Sequence, residues 1–235
     1  MTIGFGNGVF YKINTTSLER FSEEIMSLFH KDRSLNAIEI NAIDESLIDY
    51  VIDTDSDFSE YQYVSLHAPV RNYKNDTDSN RILHKLEKIH HKHNLQNIVF
   101  HADIIDDWDW FNSFNKMPLS VENMDKRKNF GKSIKDMGSI LDKYDFKLTL
   151  GLQHCFENDP TGKLAEDFQE VFEGRVVEYH LSGYDEKEIH YPLFRTKQDE
   201  IISWIKDKGL PIIIESPFDA MGEQSLELKY ILERI

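Results

Sequence analysis

The sequence predicts an α/β protein, a single (β/α)8 barrel over residues 1–235. Two observations predict it. Short β-branched or apolar runs alternate with longer amphipathic stretches along the chain. Eight such pairs fit within 235 residues, close to the size of one closed barrel of this kind. We therefore expect one domain with parallel strands inside and helices outside.

The eight predicted strands are short and rich in apolar or β-branched residues, and a plausible helix follows each one. In order along the chain, we place them at residues 3–11, 37–42, 63–69, 97–103, 119–124, 147–155, 176–183 and 211–216.

The predicted helices carry apolar residues at helical spacing, as Ile82, Leu86 and Ile89 do in the second of the longer ones. We place the longer helices at residues 17–31, 77–94, 130–144, 161–172, 196–208 and 223–235, and shorter ones at 44–52 and 106–114.

An open, doubly wound nucleotide-binding sheet is the main alternative to the barrel. The opening segment, Ile3-Gly4-Phe5-Gly6-Asn7-Gly8, superficially resembles a glycine-rich phosphate loop. It lacks the G-x-G-x-x-G spacing and does not lead directly into a helix. We therefore interpret it as a glycine-rich first strand and loop, and not as a nucleotide site.

Charge and composition limit the partners. The chain has 27 Lys and Arg against 42 Asp and Glu, a net charge of −15, which argues against nucleic acid and anionic membranes as partners. No apolar run reaches the length of a membrane span, and no secretory signal is visible. Cys155 is the single cysteine. We therefore expect a cytoplasmic protein with a small-molecule substrate, and the oligomeric state stays open.

Chemistry-bearing side chains collect at the predicted strand ends. Because the carboxyl ends of all eight strands meet at one mouth of a barrel, these residues should become neighbours. Imidazole and carboxylate together are typical ligands of zinc, manganese or iron, and clustered carboxylates need a cation. We expect a divalent metal site there, with zinc or manganese as the ion and the number of ions open. The residues are His67, His101, His154, His180, His190, Glu122 and Glu215.

The strand ends also form an ordered series, VSLHAP, IVFHAD, LSVENM, LQHC, EYHLSG, IHYPL and IIIESPF. This series resembles the xylose isomerase-like TIM-barrel superfamily over nearly the whole chain. That superfamily contains sugar isomerases and epimerases as well as endonucleases of the endonuclease IV type, which cut at abasic sites. The resemblance implies a barrel with its active site at the mouth.

The resemblance implies two ways of using these residues. In the epimerase type, one metal would be held by Glu122, residue 151, His180 and Glu215, and the two glutamates would also move the substrate proton. In the endonuclease type, a first zinc would use His67, His101 and Glu122, and a second zinc would use the epimerase set. A third zinc would use His154, His190 and Glu188.

Residue 151 departs from the superfamily pattern, which has an aspartate where this chain reads Gly151-Leu152-Gln153-His154. If the strand continues to residue 155, Gln153 faces away from the missing ligand, and Cys155 is a buried structural thiol. Glu157 could bend back from the following loop. We expect Gly151→Asp to strengthen metal binding, provided that the side chain fits there.

The leading functional hypothesis is a metal-dependent isomerase or epimerase of a small sugar, polyol or sugar phosphate, with Glu122 and Glu215 as catalytic residues. One alternative is a zinc-dependent phosphodiesterase or endonuclease, which His67 and His101 favour. Another is a degenerate barrel that binds a ligand without turnover, which Gly151 favours. Glu39 and Asn41, in the second strand, would support the metal ligands.

Overall fold

A computed structural model describes residues 1–13, 19, 26, 34–54 and 57–235. Eight parallel strands close into a barrel in chain order, and β8 pairs with β1 to complete the ring. The predicted fold class is confirmed. The strands are β1 Ile3–Gly6, β2 Ala37–Asn41, β3 Tyr63–His67, β4 Asn97–His101, β5 Leu119–Glu122, β6 Lys147–Gly151, β7 Val176–Leu181 and β8 Ile212–Ile214.

The helices of the described residues surround this barrel. They are α1 Glu45–Asp53, α2 Thr77–His93, α3 Trp108–Phe111, α4 Ile134–Leu141, α5 Leu152–Asn158, α6 Lys163–Val171, α7 Leu193–Thr196, α8 Asp199–Ser203 and α9 Glu223–Leu232. The predicted helix at 17–31 lies almost wholly outside the described residues. None of the helices described is long and apolar enough to cross a membrane.

Local sequence signals fix where several helices begin. Asp44 accepts a hydrogen bond from the Leu47 amide at the start of α1. Asp76 does the same for the Ser79 amide at the start of α2. Each side chain satisfies one of the amides that a helix leaves unpaired in its first turn. These caps place the two predicted helices within a residue or two of their expected starts.

Every predicted strand was longer than the observed one, and in the first and the sixth the excess is largely helical. The first ends at Gly6 and turns into a 3-10 helix, Asn7–Phe10. The sixth ends at Gly151, and residues 152–155 begin helix α5. Leu152 and Cys155 are both fully buried, three residues apart on one helical face, a spacing that the strand interpretation overlooked. The strand argument applied to Gln153 and Cys155 is therefore wrong, because both residues are helical and because residues 151 and 153 of a strand would share a face. The predicted burial of Cys155 is confirmed.

The barrel interior below the mouth is polar. Asn97 donates hydrogen bonds to Thr149 and to Glu178, and Ser120 and Thr149 share a hydrogen bond of 2.7 Å. All of these side chains are at most 1% exposed. Polar groups can be buried at low cost only where they pair with one another, so this layer gives the residues above it a hydrogen-bonded floor.

Candidate metal centre

The predicted site residues do meet at the carboxyl ends of the strands. His67, His101 and Glu122 are the last residues of β3, β4 and β5. His180 is the penultimate residue of β7, and Glu215 directly follows β8. They lie at the bottom of a cavity of about 720 Å³, and each side chain except that of His180 lines it.

His67, His101 and Glu122 form a compact first group. The two imidazole Nε2 atoms are 3.1 Å apart, and they lie 3.7 and 3.6 Å from Glu122 Oε2. His67 Nδ1 is 3.0 Å from the Ala68 carbonyl oxygen, to which it can donate, and this leaves Nε2 as the nitrogen that faces His101 and Glu122. Two imidazole nitrogens and a carboxylate oxygen thus converge on one point, the arrangement of a metal ligand set.

Protonation in the first group follows its surroundings. Burial would lower the pKa of His67, but the adjacent Glu122 and the other nearby carboxylates outweigh it and raise the pKa to about 9. Burial, together with the charge of His67, holds the pKa of His101 well below its ordinary value. Without a metal, the proton of this group therefore resides on His67, and a cation that entered would displace it.

Four carboxylates surround the ring of His180. Its Nδ1 lies 3.0 Å from Glu122 Oε1 and 3.2 Å from Glu215 Oε1. Its Nε2 lies 3.1 Å from Glu39 Oε2 and 3.0 Å from Glu178 Oε1. Burial acts against a charged ring, but these carboxylates, Glu215 foremost, raise the pKa of His180 well above its ordinary value. Glu39, His180 and Glu215 form a second group, each offering a ligand atom within 4.8 Å of the others.

Glu122 joins the two groups. Its Oε2 faces the first group, and its Oε1 faces His180 and, at 3.6 Å, the Nε2 of His154. Burial would raise the pKa of this carboxyl, but the charge and hydrogen bond of His180 hold it well below its ordinary value. Glu122 is therefore an ionised carboxylate whose two oxygens point towards two different ligand sets, as a bridging metal ligand requires.

Glu215 differs from Glu122 in its protonation. Burial, opposed by the charge of His180, raises the pKa of Glu215 to about 8. Its second oxygen lies 3.9 Å from Nδ1 of His190. Two carboxyl groups beside the same nitrogen of one imidazole thus have pKa values shifted in opposite directions, a difference typical of sites that transfer protons.

The predicted third group is only partly assembled. The rings of His154 and His190 are 5.5 Å apart, and burial lowers the pKa of both. His190 Nδ1 lies 2.9 Å from the Ser182 hydroxyl. Glu188 forms an ion pair with Lys12, although it also lines the cavity. The two histidines are together, but the acidic ligand expected with them is paired elsewhere.

Gly151 occupies the position where the superfamily pattern has its aspartate, and the side chains of His154 and Glu122 pack closely against it. A Cβ atom added there would lie 2.6 Å from the His154 ring and 2.8 Å from Glu122 Oε1. The backbone is fixed as well, because Asn123 exchanges two hydrogen bonds with the Gly151 amide and carbonyl groups. An aspartate therefore fits only if His154 or Glu122 moves. The substitute considered for it, Glu157, lies on α5 and faces Arg127, with 3.5 Å between the charged atoms.

Glu178 was missed from the sequence, although a signal was present: it lies two residues before His180 on the same strand, so both side chains face the barrel interior. Asp125, which is buried and lies 3.8 Å from Nδ1 of His154, was missed too. Glu39 was expected to support the ligands, and the structure places it in direct contact with His180.

Comparisons with known proteins agree with this architecture. No protein-family model matches the chain, and neither does any curated protein sequence. Among solved structures, endonuclease IV from Thermus thermophilus is similar with a TM-score of 0.65 and 15% identity, over 99% of this chain and 98% of that one. The probable 3-DHS dehydratase AsbF of Bacillus anthracis has a TM-score of 0.69 and 12% identity over the same shares.

A D-psicose 3-epimerase from Clostridium cellulolyticum is similar with a TM-score of 0.55 and 14% identity, over 94% of this chain and 86% of that one. Further similar structures are those of a xylose isomerase domain containing protein and of a sugar phosphate isomerase/epimerase. At these identities the likeness concerns the fold. The chain thus has the fold of the xylose isomerase-like TIM-barrel superfamily, as the series of strand ends indicated.

Proposed function

We propose that this chain is a divalent-metal-dependent enzyme whose site holds two ions bridged by Glu122, and that it hydrolyses phosphate esters of small molecules. The observation that carries the proposal is the orientation of Glu122, with one oxygen towards His67 and His101 and the other towards His180. A single ion beside His180 would not explain why His67 and His101 both face the other oxygen of Glu122, Oε2.

The charge of the second group supports a bound cation. Four carboxyl groups lie 3.0–3.2 Å from the His180 ring, and the charge of a protonated ring together with one proton on Glu215 cannot compensate all four. Three of the four are at most 1% exposed. Buried carboxylates of like charge are costly unless a cation or shared protons compensate them.

The reaction class follows from the ligand sets. Two divalent ions about 3.5–4 Å apart stabilise both the attacking and the leaving oxygen in a displacement at phosphorus. The protein's own groups would orient the substrate and move protons. Glu215 lines the cavity beside His180, and in metal-free protein burial raises its pKa to about 8. Lys187 lines the cavity and would attract a small anion, whereas the neighbouring Arg127 and Lys128 each pair with an aspartate.

A sugar isomerase or epimerase is the second candidate. The observation that favours it is the placement of Glu122 and Glu215, which both line the cavity and flank Nδ1 of His180. Two carboxyl groups so placed can remove a proton from one carbon and return it to a neighbouring carbon or to the other face. The net charge of −15 also suits a neutral sugar better than an anion.

Metal content and turnover together test the proposal. Protein purified without added metal, dialysed and then loaded with Zn²⁺ or Mn²⁺ should retain two ions per chain by elemental analysis. It should cleave p-nitrophenyl phosphate or bis(p-nitrophenyl) phosphate. The variant His101→Ala should lose one ion and the activity. Its matched control is His84→Ala, a substitution on the exposed face of α2 that should keep both.

Other outcomes identify the alternatives. The isomerase hypothesis would replace the proposal if the protein binds one ion per chain, incorporates solvent deuterium into one of a panel of ketoses and releases no phosphate. Retention of no ion, with no turnover of either substrate class, would indicate a barrel that binds without catalysis.

A further inference from the structure

The proposed second ion lacks one carboxylate ligand, because residue 151 is a glycine. In the superfamily pattern that ligand comes from the end of β6. Here the position is a glycine, and the space beside it is taken by His154 and Glu122. Glycine has no side chain, so residue 151 supplies no ligand of its own.

A different carboxylate points at the second group from the opposite wall. Glu39 is the third residue of β2, its side chain is fully buried, and it lines the mouth cavity. One of its oxygens lies 3.1 Å from Nε2 of His180. The other, Oε1, is buried and has no hydrogen-bond partner among the residues that the structure describes.

The strand next to Glu39 leaves room for it. Gly6, at the end of β1, pairs with Glu39 in the register of the sheet. A Cβ atom at Gly6 would come within 3.3 Å of Glu39 Oε1, closer than most such contacts. A buried carboxylate oxygen without a partner is costly, and its position against a glycine beside two other potential ligands is best explained by a cation.

We propose that Glu39 is a metal ligand and that it supplies, from β2, the carboxylate that Gly151 cannot supply from β6. The second ion is then held by Glu39, His180 and Glu215, together with the bridging oxygen of Glu122. This inference rests on the proposed metal site, and it shifts the second ion towards β1 and β2 relative to the superfamily pattern.

Glu178 offers a matched control. It lies 3.0 Å from the same Nε2 atom of His180 and is equally buried, but it belongs to the polar floor, where it accepts a hydrogen bond from Asn97, and it does not line the cavity. If Glu39 only orients His180, then Glu39→Gln and Glu178→Gln should affect metal binding alike. If Glu39 is a ligand, its substitution should cost more.

The experiment measures ions per chain by elemental analysis and affinity by titration calorimetry, with Zn²⁺ and Mn²⁺ alone, for the parent and both variants. We expect the parent to bind two ions. Glu39→Gln should keep one ion and bind the second at least about tenfold more weakly than Glu178→Gln does. Glu39→Asp keeps the charge but shortens the side chain, so it should also weaken binding of the second ion. This variant replaces Glu39→Gln in the experiment if the glutamine variant does not fold.

Two outcomes would overturn the inference and leave the proposed function intact: a Glu39→Gln protein that still binds two ions with unchanged affinity, or equal losses in Glu39→Gln and Glu178→Gln. If the parent binds a single ion that Glu39→Gln removes, Glu39 stands as a ligand and the two-ion proposal fails. If that single ion is unaffected, or if the parent binds none, both fail.

Discussion

The two metal groups at the mouth of this barrel differ in how closely they follow the pattern of the superfamily. The first group, His67, His101 and Glu122, has every expected residue in place at three successive strand ends. The second has a glycine where the superfamily pattern has its ligand from β6, and its acidic contacts include Glu39 and Glu178. On the proposed assignment of Glu39, a carboxylate from a different strand takes the place of the missing one.

The two groups differ in how many strands contribute to each. Every residue of the first group ends its strand, and His101 pairs with Glu122 in the register of the sheet, so three successive strand ends supply the whole group. His180 lies in the barrel axis, where side chains from several strands converge, and carboxylates from β2, β5 and β7 and from the end of β8 all reach its ring. A carboxylate lost from one strand can be replaced there from another.

The largest effect should come from Glu122→Gln, because this side chain serves both groups. The amide would keep one oxygen but lose the charge and the second acceptor, so we expect loss of both ions and a fall in kcat/KM of at least about 100-fold. Elemental analysis and steady-state kinetics measure this, with the exposed Glu166→Gln as control. A variant that kept both ions would show that Glu122 is not a bridge.

Gly151→Ala should come next. The added methyl group would meet the His154 ring at 2.6 Å and Glu122 at 2.8 Å, so both must move. We expect a loss of about 1–3 kcal/mol in the free energy of unfolding, and weaker metal binding. The comparison is Gly138→Ala in α4, where a Cβ would make only ordinary contacts of 3.7 and 3.9 Å and should be neutral or stabilising. Denaturant unfolding measures both.

The structure also changes the expected sign for Gly151→Asp. The condition set from the sequence was that the side chain fits, and the close approach of His154 and Glu122 shows that it does not fit without rearrangement. We now expect weaker metal binding than in the parent, measured by the same calorimetric titration. Tighter binding would mean that His154 and Glu122 move aside easily and that the position remains open to a ligand.

The fold could be predicted from the sequence because its signals are local and repeat eight times. The strand ends at His67, His101, Glu122, His180 and Glu215 followed from one rule, that parallel strands converge at their carboxyl ends. The rest depended on contacts that no local pattern carries. Glu188 pairs with Lys12 across 176 positions of the chain, and Glu39 meets His180 across 141.

The pH dependence of stability gives a smaller test of the first group. In metal-free protein the pKa of His67 is raised to about 9, so the folded state holds a proton that the unfolded state releases near pH 6.5. The stabilisation is therefore complete below about pH 6.5 and lost as the pH rises to 9. Glu215, with a pKa raised to about 8, changes stability in the same direction.

We expect chelator-treated protein to lose about 2–3 kcal/mol of unfolding free energy between pH 6.5 and 9. Urea unfolding at several pH values measures it. His67→Gln should flatten the slope. A slope of the opposite sign would mean that the carboxylates around His67 are already neutralised without it.

The smallest expected effect is on nucleic acid. Duplex DNA, with or without an abasic-site analogue, should bind only weakly at physiological salt, because the overall field is strongly negative. A gel-shift titration measures this. Tight binding that selects the abasic site would identify the phosphate ester as one in DNA rather than in a small molecule.

The most direct test of the two-group account is a crystal structure of the protein loaded with Zn²⁺ or Mn²⁺, with anomalous scattering data recorded at the absorption edge of the metal. The account predicts two anomalous peaks separated by the Glu122 carboxylate. One peak should lie among His67, His101 and Oε2 of Glu122, and the other among Glu39, His180 and Glu215. A single peak, or a second peak out of reach of Glu39 and beside His154 and Gly151, would contradict it.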